Sequence, residues 1–188
     1  MKKAILIFFS AAALLFTLWY MHFGSLTENS GALSKTGLNH PVYFSVWGIL
    51  TFFGIYTNLL YAYKIFLKNF KIQYFFCFLS VIGMLFTLIC DFDYAKETEY
   101  LLHCCGSLTF SVSTGCCVFL LFLMNYAKNK KFALFTYIIG GILITDFILL
   151  LIFKENALIE TGPVIFALIL LPVLNFTDLF KEKEYAAR

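Results

Sequence analysis

Six long apolar stretches, separated by short charged segments, constrain this sequence more than any other feature. They cover residues 4–22, 44–63, 72–90, 101–125, 132–153 and 161–177. Each stretch approaches the ~20 residues that an α-helix needs to cross the hydrocarbon core of a bilayer. Only 13% of the residues are charged, whereas a soluble domain carries about 25%. The sequence therefore predicts an all-α polytopic membrane protein, with six transmembrane helices in a single domain over residues 1–188.

The distribution of Lys and Arg predicts how these helices are oriented. Three of the fourteen, Lys35, Lys96 and Lys154, fall on one side of the predicted zigzag, which we call the outer side. The other eleven fall on the opposite side: Lys2, Lys3, Lys64, Lys68, Lys71, Lys128, Lys130, Lys131, Lys181, Lys183 and Arg188. Because cytoplasmic loops are enriched in Lys and Arg, we expect both termini to be cytoplasmic. The lysine-rich loops and small size favour a bacterial inner (cell) membrane, and the net charge of +3 gives no reason to expect a nucleic-acid partner.

The first apolar stretch has two interpretations. Two lysines followed by an apolar run are also typical of a cleaved secretory signal peptide. In this sequence the run is long, and the large residues from Trp19 to His22 stand where small residues normally precede a cleavage site. We therefore expect the first helix to be retained.

Polar residues inside the apolar stretches are candidates for a functional site, because unpaired polar groups in lipid are costly. Asp146 is the carboxylate that lies well inside a stretch, roughly 10 Å below the outer end at 1.5 Å per residue. Thr51 lies at a matching depth and shares a helical face with Gly54 and Asn58 by its spacing. Structural interpretations stay open: a hydrogen bond to a neighbouring hydroxyl for Asp146, and a bond to its own helix carbonyl for Thr51.

A histidine completes the set of candidate catalytic groups. His103 lies near the outer start of the fourth stretch, and Ser107 follows one turn later. Thr51, His103 and Asp146 offer a hydroxyl, an imidazole and a carboxylate, the attacker, base and orienter of an activated nucleophile. The sequence thus predicts these three as catalytic, with Asn58 and Ser107 as substrate-binding residues. The structural alternative for His103 is a capping or interfacial role.

A metal site is a further alternative on the outer side. His22, His40 and His103, together with Asp91 and Asp93, could supply ligands. Their spacing is not diagnostic of a metal site, and we expect neither a metal nor another cofactor.

The cysteines, glycines and loops predict structural features. The six cysteines contain no C-x-x-C motif. Packing is their expected role, although Cys90 could form a disulfide with Cys104 or Cys105 near the outer surface. The longest outer loop, from Phe23 to Pro41, is rich in polar residues and suggests a flexible lid that ends where Pro41 starts a helix. The Gly140-Gly141 pair predicts a close approach between the fifth helix and a neighbour.

Three short segments resemble a known family. The segment from Ile49 to Leu60, with Asn58 two turns after its Leu-Thr-Phe run, is similar to the second-helix segment of the androgen-induced, androgen-dependent-TFPI-regulating family and its bacterial six-helix relatives. Glu99 to His103 resembles the family's histidine at the start of a later helix. Leu158 to Pro163 resembles its acidic-x-Gly-Pro entry into the last helix.

The resemblance implies an intramembrane threonine hydrolase that acts on fatty acid esters of hydroxy fatty acids. It would make Thr51 the nucleophile and His103 the base, and the expected partner is a lipid substrate from the bilayer. Asp146 is added from its depth and does not come from the resemblance. Where the family often carries a second histidine, this sequence has Cys104, Cys105 and Gly106.

Two other functions stay open at this point. One is a small non-enzymatic transporter or sensor with Asp146 as its titrating group, although the sequence lacks the inverted repeats of many ion-coupled carriers. The other is a metal-dependent membrane hydrolase that uses the outer histidines and aspartates. The sequence leaves the oligomeric state open.

Overall fold

The computed structural model describes residues 3–67 and 71–180. Within these ranges the chain forms α-helices joined by turns and short 3₁₀ segments, with no strand. The helices are α1 (Lys3–Tyr20), α2 (Leu33–Asn39), α3 (Pro41–Phe66), α4 (Lys71–Ile89), α5 (Glu97–Leu123), α6 (Lys130–Phe153) and α7 (Ala157–Phe176). Five of the residues behind the orientation prediction lie outside the described ranges: Lys2, Lys68, Lys181, Lys183 and Arg188.

Six of these helices, all except α2, are long and apolar enough to cross a membrane. They coincide with the six predicted stretches, so the prediction of an all-α, six-span membrane fold is confirmed. Which end faces the cytoplasm stays a prediction. We keep the name outer end for the end of the bundle that holds residues 21–40.

Local sequence signals account for the helix starts. Pro41 is the first residue of α3, where its missing N–H costs no hydrogen bond. The Asn129 side chain accepts hydrogen bonds from two backbone N–H groups at the start of α6. The Asn156 side chain does the same for Ile159 at the start of α7. Such caps satisfy N–H groups that have no partner within the helix.

Helices α4 and α5 pack very closely because glycines face each other. A Cβ at Gly83 would lie 2.5 Å from the backbone N of Phe110, and a Cβ at Gly106 would lie 2.8 Å from the carbonyl O of Gly83. Small residues allow this approach of two backbones within a membrane. The contact fixes α4 relative to α5, and both helices contribute to the candidate site described below.

A buried amide network joins α1, α3 and α7. The Asn58 Nδ2 of α3 donates to the carbonyl O of Leu6 at 2.9 Å and to Ser10 Oγ at 3.0 Å, both in α1. The Asn175 Nδ2 of α7 donates to the Asn58 carbonyl O at 2.9 Å and to its Oδ1 at 3.1 Å. Such interhelical bonds are a common means of holding membrane helices together.

The long outer connection folds against the bundle. It contains short 3₁₀ segments and α2, which packs against α3 where Gly37 meets the Phe44 ring. A Cβ at Gly31 would lie 1.8 Å from the Ser25 carbonyl O, so the tight turn at Gly31 requires glycine. The segment that suggested a flexible lid is therefore a folded cap over the outer end.

The predicted close approach at the glycine pair of α6 is not found at Gly141. Its Cβ position has no atom of another residue within 4 Å, and a Cβ at Gly140 makes an ordinary contact of 3.4 Å with Phe119. A groove of about 500 Å³ lies beside these glycines, between residues of α5 and α6. The glycines widen this groove rather than close it.

Candidate active site

The clearest polar arrangement in the structure surrounds His103 at the outer end. The His103 side chain is only 2% exposed. Its Nδ1 lies 2.9 Å from the carbonyl O of Cys90, just beyond the end of α4. Its Nε2 lies 2.9 Å from the Ser34 Oγ of α2. Both ring nitrogens therefore have hydrogen-bond partners, and α2, α4 and α5 meet at this ring.

The partners of His103 determine which nitrogen carries the proton. A carbonyl oxygen can only accept, so His103 Nδ1 must donate to Cys90. In the neutral imidazole the other nitrogen then has a free lone pair and accepts the Ser34 hydroxyl proton. This is the tautomer in which a histidine acts as a general base toward a serine. Here a backbone carbonyl takes the orienting position that an aspartate holds in a serine triad.

Two other helices hold the residue next to Ser34. The backbone N–H of Leu33 donates to Glu160 Oε2 of α7 at 2.5 Å. The Leu33 carbonyl O accepts from the Tyr20 hydroxyl of α1 at 3.3 Å. Leu33 is thereby held at both of its backbone polar groups, and this limits the positions that the Ser34 hydroxyl can take.

Two phenylalanines enclose the imidazole. The Phe44 ring of α3 stacks on His103 with centroids 5.8 Å apart. The Phe92 ring meets it edge-on at 5.2 Å. These apolar walls contribute to the burial of the ring, and hydrogen bonds in such surroundings are stronger than in water.

The cap that carries Ser34 is tied to the connection between α6 and α7. Asn29 Nδ2 donates to the Glu155 carbonyl O at 2.8 Å, and the Leu158 N–H donates to the Leu26 carbonyl O at 3.2 Å. Lys35 Nζ donates to Asn29 Oδ1. Burial raises the pKa of the Glu155 carboxyl, and the nearby Lys35 ammonium partly offsets this. The cap is thus fastened by hydrogen bonds to the connection between α6 and α7.

Thr51 is not hydrogen-bonded to His103. Its hydroxyl is buried and has no hydrogen-bond partner among the described residues. Phe44, which stacks on His103, lies two turns earlier on α3, roughly 10 Å away along the helix axis. Five other helical threonines instead donate to a carbonyl four residues earlier in their own helix: Thr17, Thr57, Thr87, Thr136 and Thr161.

Asp146 also lies apart from His103. It is half-buried, at helical spacing from Ile139 and Leu143 on α6. Leu143 packs against Gly115 of α5. Asp146 lies about one turn closer to the outer end than Leu143 does, so it is level with residue 111 of α5. Residue 111 is about 12 Å along α5 from His103. Within the described ranges the Asp146 carboxylate has neither the predicted bond to a hydroxyl nor an ion pair.

The two predicted substrate-binding residues have different surroundings. Ser107 is half-buried one turn below His103 on α5. Asn58 lies fourteen residues beyond Phe44 on α3, roughly 21 Å along the axis, where its amide joins three helices. The structure therefore gives Asn58 a structural position in the bundle and keeps it away from His103.

The outer histidines and aspartates do not form a metal centre within residues 3–67 and 71–180. No three His, Cys, Asp or Glu side chains there are close enough to hold a metal ion. The His40 ring stacks on Tyr43, and Asp91 pairs with Lys96 at 2.9 Å. The metal-dependent hydrolase alternative gains no support from this arrangement.

All six cysteines are free thiols. The disulfide considered for Cys90 with Cys104 or Cys105 is therefore not formed. Cys90 contributes through its backbone carbonyl instead, as the partner of His103 Nδ1.

Comparisons with known proteins add no family assignment. No protein-family model matches the chain. Curated proteins and solved structures yield no match either. The similarity to the androgen-induced, androgen-dependent-TFPI-regulating family therefore stays a resemblance, and the functional argument depends on the geometry around His103.

Proposed function

We propose that this protein is an intramembrane hydrolase of lipid esters in which His103 activates the hydroxyl of Ser34. One observation carries the proposal. His103 Nδ1 is held by a carbonyl that can only accept, while His103 Nε2 faces the Ser34 hydroxyl at 2.9 Å. A nucleophile, its base and an orienting group are the parts that acyl transfer requires.

The reaction follows from these positions. Ser34 Oγ attacks the ester carbonyl carbon as its proton passes to His103 Nε2. The tetrahedral intermediate collapses, the bond between the carbonyl carbon and the alcohol oxygen breaks, and His103 returns the proton to the leaving alcohol. Water then attacks the acyl-Ser34 ester with the same proton transfers, which releases a fatty acid and restores Ser34.

The surroundings favour a lipid substrate. The imidazole lies between aromatic walls near the outer end of a membrane bundle, close to the level at which the ester groups of lipids lie. Ser34 is 7% exposed, so the Phe44 and Phe92 side chains must move to admit an ester while Ser34 and His103 stay paired. The family resemblance supports fatty acid esters of hydroxy fatty acids as the first substrate class to test.

The test is covalent labelling of the purified protein with a fluorophosphonate probe, followed by peptide mass spectrometry. The proposal predicts an adduct on Ser34 that is lost in Ser34→Ala and formed at least tenfold more slowly in His103→Gln. Ser30→Ala is the matched control, because Ser30 lies in the same cap with an exposed hydroxyl that bonds Glu28. Absence of any adduct, together with no hydrolysis of fatty acyl ester substrates, would overturn the proposal.

The same experiment separates Ser34 from Thr51 as the nucleophile. The resemblance implies Thr51, whose buried hydroxyl has no partner in the described residues. An adduct on Thr51 that disappears in Thr51→Val would keep the hydrolase function and move the nucleophile to α3. An adduct on Ser34 that persists in Thr51→Val supports the pairing with His103.

A transporter or sensor built on Asp146 is a second candidate. The observation that favours it is a half-buried carboxylate in an apolar helix with neither a hydrogen bond nor an ion pair in the described ranges. Intramembrane carboxylates of this kind mark ion or proton paths in other proteins. Asp146→Asn should then abolish pH-dependent uptake by proteoliposomes, and unchanged uptake would exclude this role.

A further inference from the structure

A groove lies between α5 and α6 in the lysine-rich half of the bundle, apart from the His103 site. Its volume is about 500 Å³. Phe119, Leu123 and Tyr126 line one side, and Tyr137, Gly141 and Ile144 line the other. Most of the lining is aliphatic or aromatic, so a ligand within the groove must be apolar over most of its length.

Gly141 keeps this groove open. A glycine inside a helix is destabilising by roughly 0.5–1 kcal/mol relative to alanine, and in membrane proteins a close helix contact usually explains it. At Gly141 no such contact exists, because its Cβ position has no atom of another residue within 4 Å. A side chain at this position would instead occupy the groove.

Two tyrosine hydroxyls lie at the lysine-rich end of the groove. The hydroxyls of Tyr126 and Tyr137 lie 2.7 Å apart, and both tyrosines are exposed. Lys130 precedes Tyr137 by seven residues and therefore lies on the same face of α6, and its neighbour Lys131 is also exposed. Tyrosines are enriched at the level of lipid headgroups, and basic groups between helices bind anionic headgroups.

We propose that this groove binds one anionic phospholipid, with an acyl chain along Gly141 and the phosphate at the Tyr126–Tyr137 hydroxyls and Lys130. The apolar wall fits the chain, and the lysines complement the negative charge of the headgroup. Gly141 has no packing partner in another helix, so it leaves the space that the lipid acyl chain would occupy. This site is separate from the His103 site and does not depend on the proposed hydrolase function.

Native mass spectrometry of the full chain in detergent tests the proposal. The protein is mixed with phosphatidylglycerol or with phosphatidylcholine of the same acyl chains. We expect one phosphatidylglycerol retained per chain, at least fivefold more than phosphatidylcholine. Gly141→Leu should lower retention about tenfold, because the leucine fills the groove.

Gly162→Leu is the matched control for Gly141→Leu. The Cβ position of Gly162 on α7 is also free of neighbours within 4 Å, so this variant adds the same side chain away from the groove and should retain the lipid. Lys130→Glu, at an exposed position, leaves the helix packing intact and should remove the preference for phosphatidylglycerol. Circular dichroism confirms that each variant stays helical.

Three results would overturn the proposal. Equal retention by the wild type and Gly141→Leu would exclude the groove as the lipid site. Equal retention of the two lipids by the wild type would exclude an anionic headgroup. A dimer that Gly141→Leu converts to a monomer, without lipid loss, would make the groove an interface between two copies of this chain.

Discussion

The carboxylate of Glu160 accepts a hydrogen bond from the backbone N–H of Leu33 at 2.5 Å, and this bond links α7 to the residue that precedes Ser34. The Tyr20 hydroxyl holds the carbonyl of the same residue. Ser34 is thus placed against His103 by contacts from α1 and α7 that do not touch either reacting atom. Glu160 and Tyr20 are positioning residues of the proposed site.

Substitution of Glu160 should slow labelling of Ser34 strongly only when the new side chain cannot accept the hydrogen bond from the Leu33 N–H. In Glu160→Gln the amide oxygen can still accept from Leu33, so we expect a labelling rate within about threefold of the wild type. In Glu160→Leu the N–H loses its partner, which costs about 1–3 kcal/mol and should lower the rate about tenfold or more. The rate of fluorophosphonate labelling is measured for both variants. Equal rates for Glu160→Gln and Glu160→Leu would contradict a positioning role for Glu160.

Removal of the Thr51 hydroxyl should stabilise the protein. The hydroxyl is buried without a partner in the described ranges, so Thr51→Val should raise the free energy of unfolding by about 1 kcal/mol. Thr17→Val is the opposite control, because Thr17 Oγ1 accepts from Trp47 Nε1 at 3.1 Å. Loss of that acceptor should cost about 1–3 kcal/mol. Thermal unfolding in detergent measures both changes, and a destabilised Thr51→Val would contradict this prediction.

The six spanning helices could be predicted because their cause is local. A helix that crosses lipid needs about twenty apolar residues in succession, and helix starts such as Pro41 are marked by the residues themselves. How closely two helices approach each other depends on residues that are far apart in the sequence. Gly83 meets Phe110 of the next helix, whereas Gly141 meets no neighbour within 4 Å, and nothing in the sequence distinguishes these two glycines.

The candidate site could be predicted only in part from the sequence. His103 was predicted as a candidate because it falls in the outer half with Thr51 and Asp146 and because of the family resemblance. Ser34 was missed because it is 69 residues away from His103 and lies in a polar connection with no periodic pattern. The Cys90 contact is a backbone carbonyl, which no side-chain pattern can reveal. Glu160 did carry a signal, as a carboxylate in the first turn of an apolar helix.

Replacement of Asp146 by an apolar residue should also stabilise the bundle. A charged side chain inside the membrane costs about 2.5–3.5 kcal/mol at the helix centre, and Asp146 has no partner in the described residues that offsets this. Asp146→Leu should therefore raise the thermal unfolding temperature and leave labelling of Ser34 unchanged, because Asp146 lies apart from His103. If a stable Asp146→Leu protein lost labelling of Ser34, Asp146 would be one of the catalytic residues, as the sequence predicted.

Enlargement of Gly83 should disturb both the bundle and the site. A Cβ there would lie 2.5 Å from the Phe110 backbone N and 2.7 Å from the Gly106 carbonyl O, so Gly83→Ala must move α4 away from α5. Overpacking of this kind costs about 1–3 kcal/mol. Because the carbonyl of Cys90, just beyond α4, orients His103 of α5, the same shift should slow labelling of Ser34.

Gly141→Ala is the control for that variant, since it adds the same methyl group where no neighbour lies within 4 Å. We expect it to be neutral or to stabilise by up to about 1 kcal/mol, with labelling of Ser34 unchanged. The thermal unfolding temperature and the labelling rate should therefore both fall in Gly83→Ala, and neither should fall in Gly141→Ala. If Gly83→Ala unfolds at a lower temperature but labels at the wild-type rate, the spacing of α4 and α5 does not control the orientation of His103.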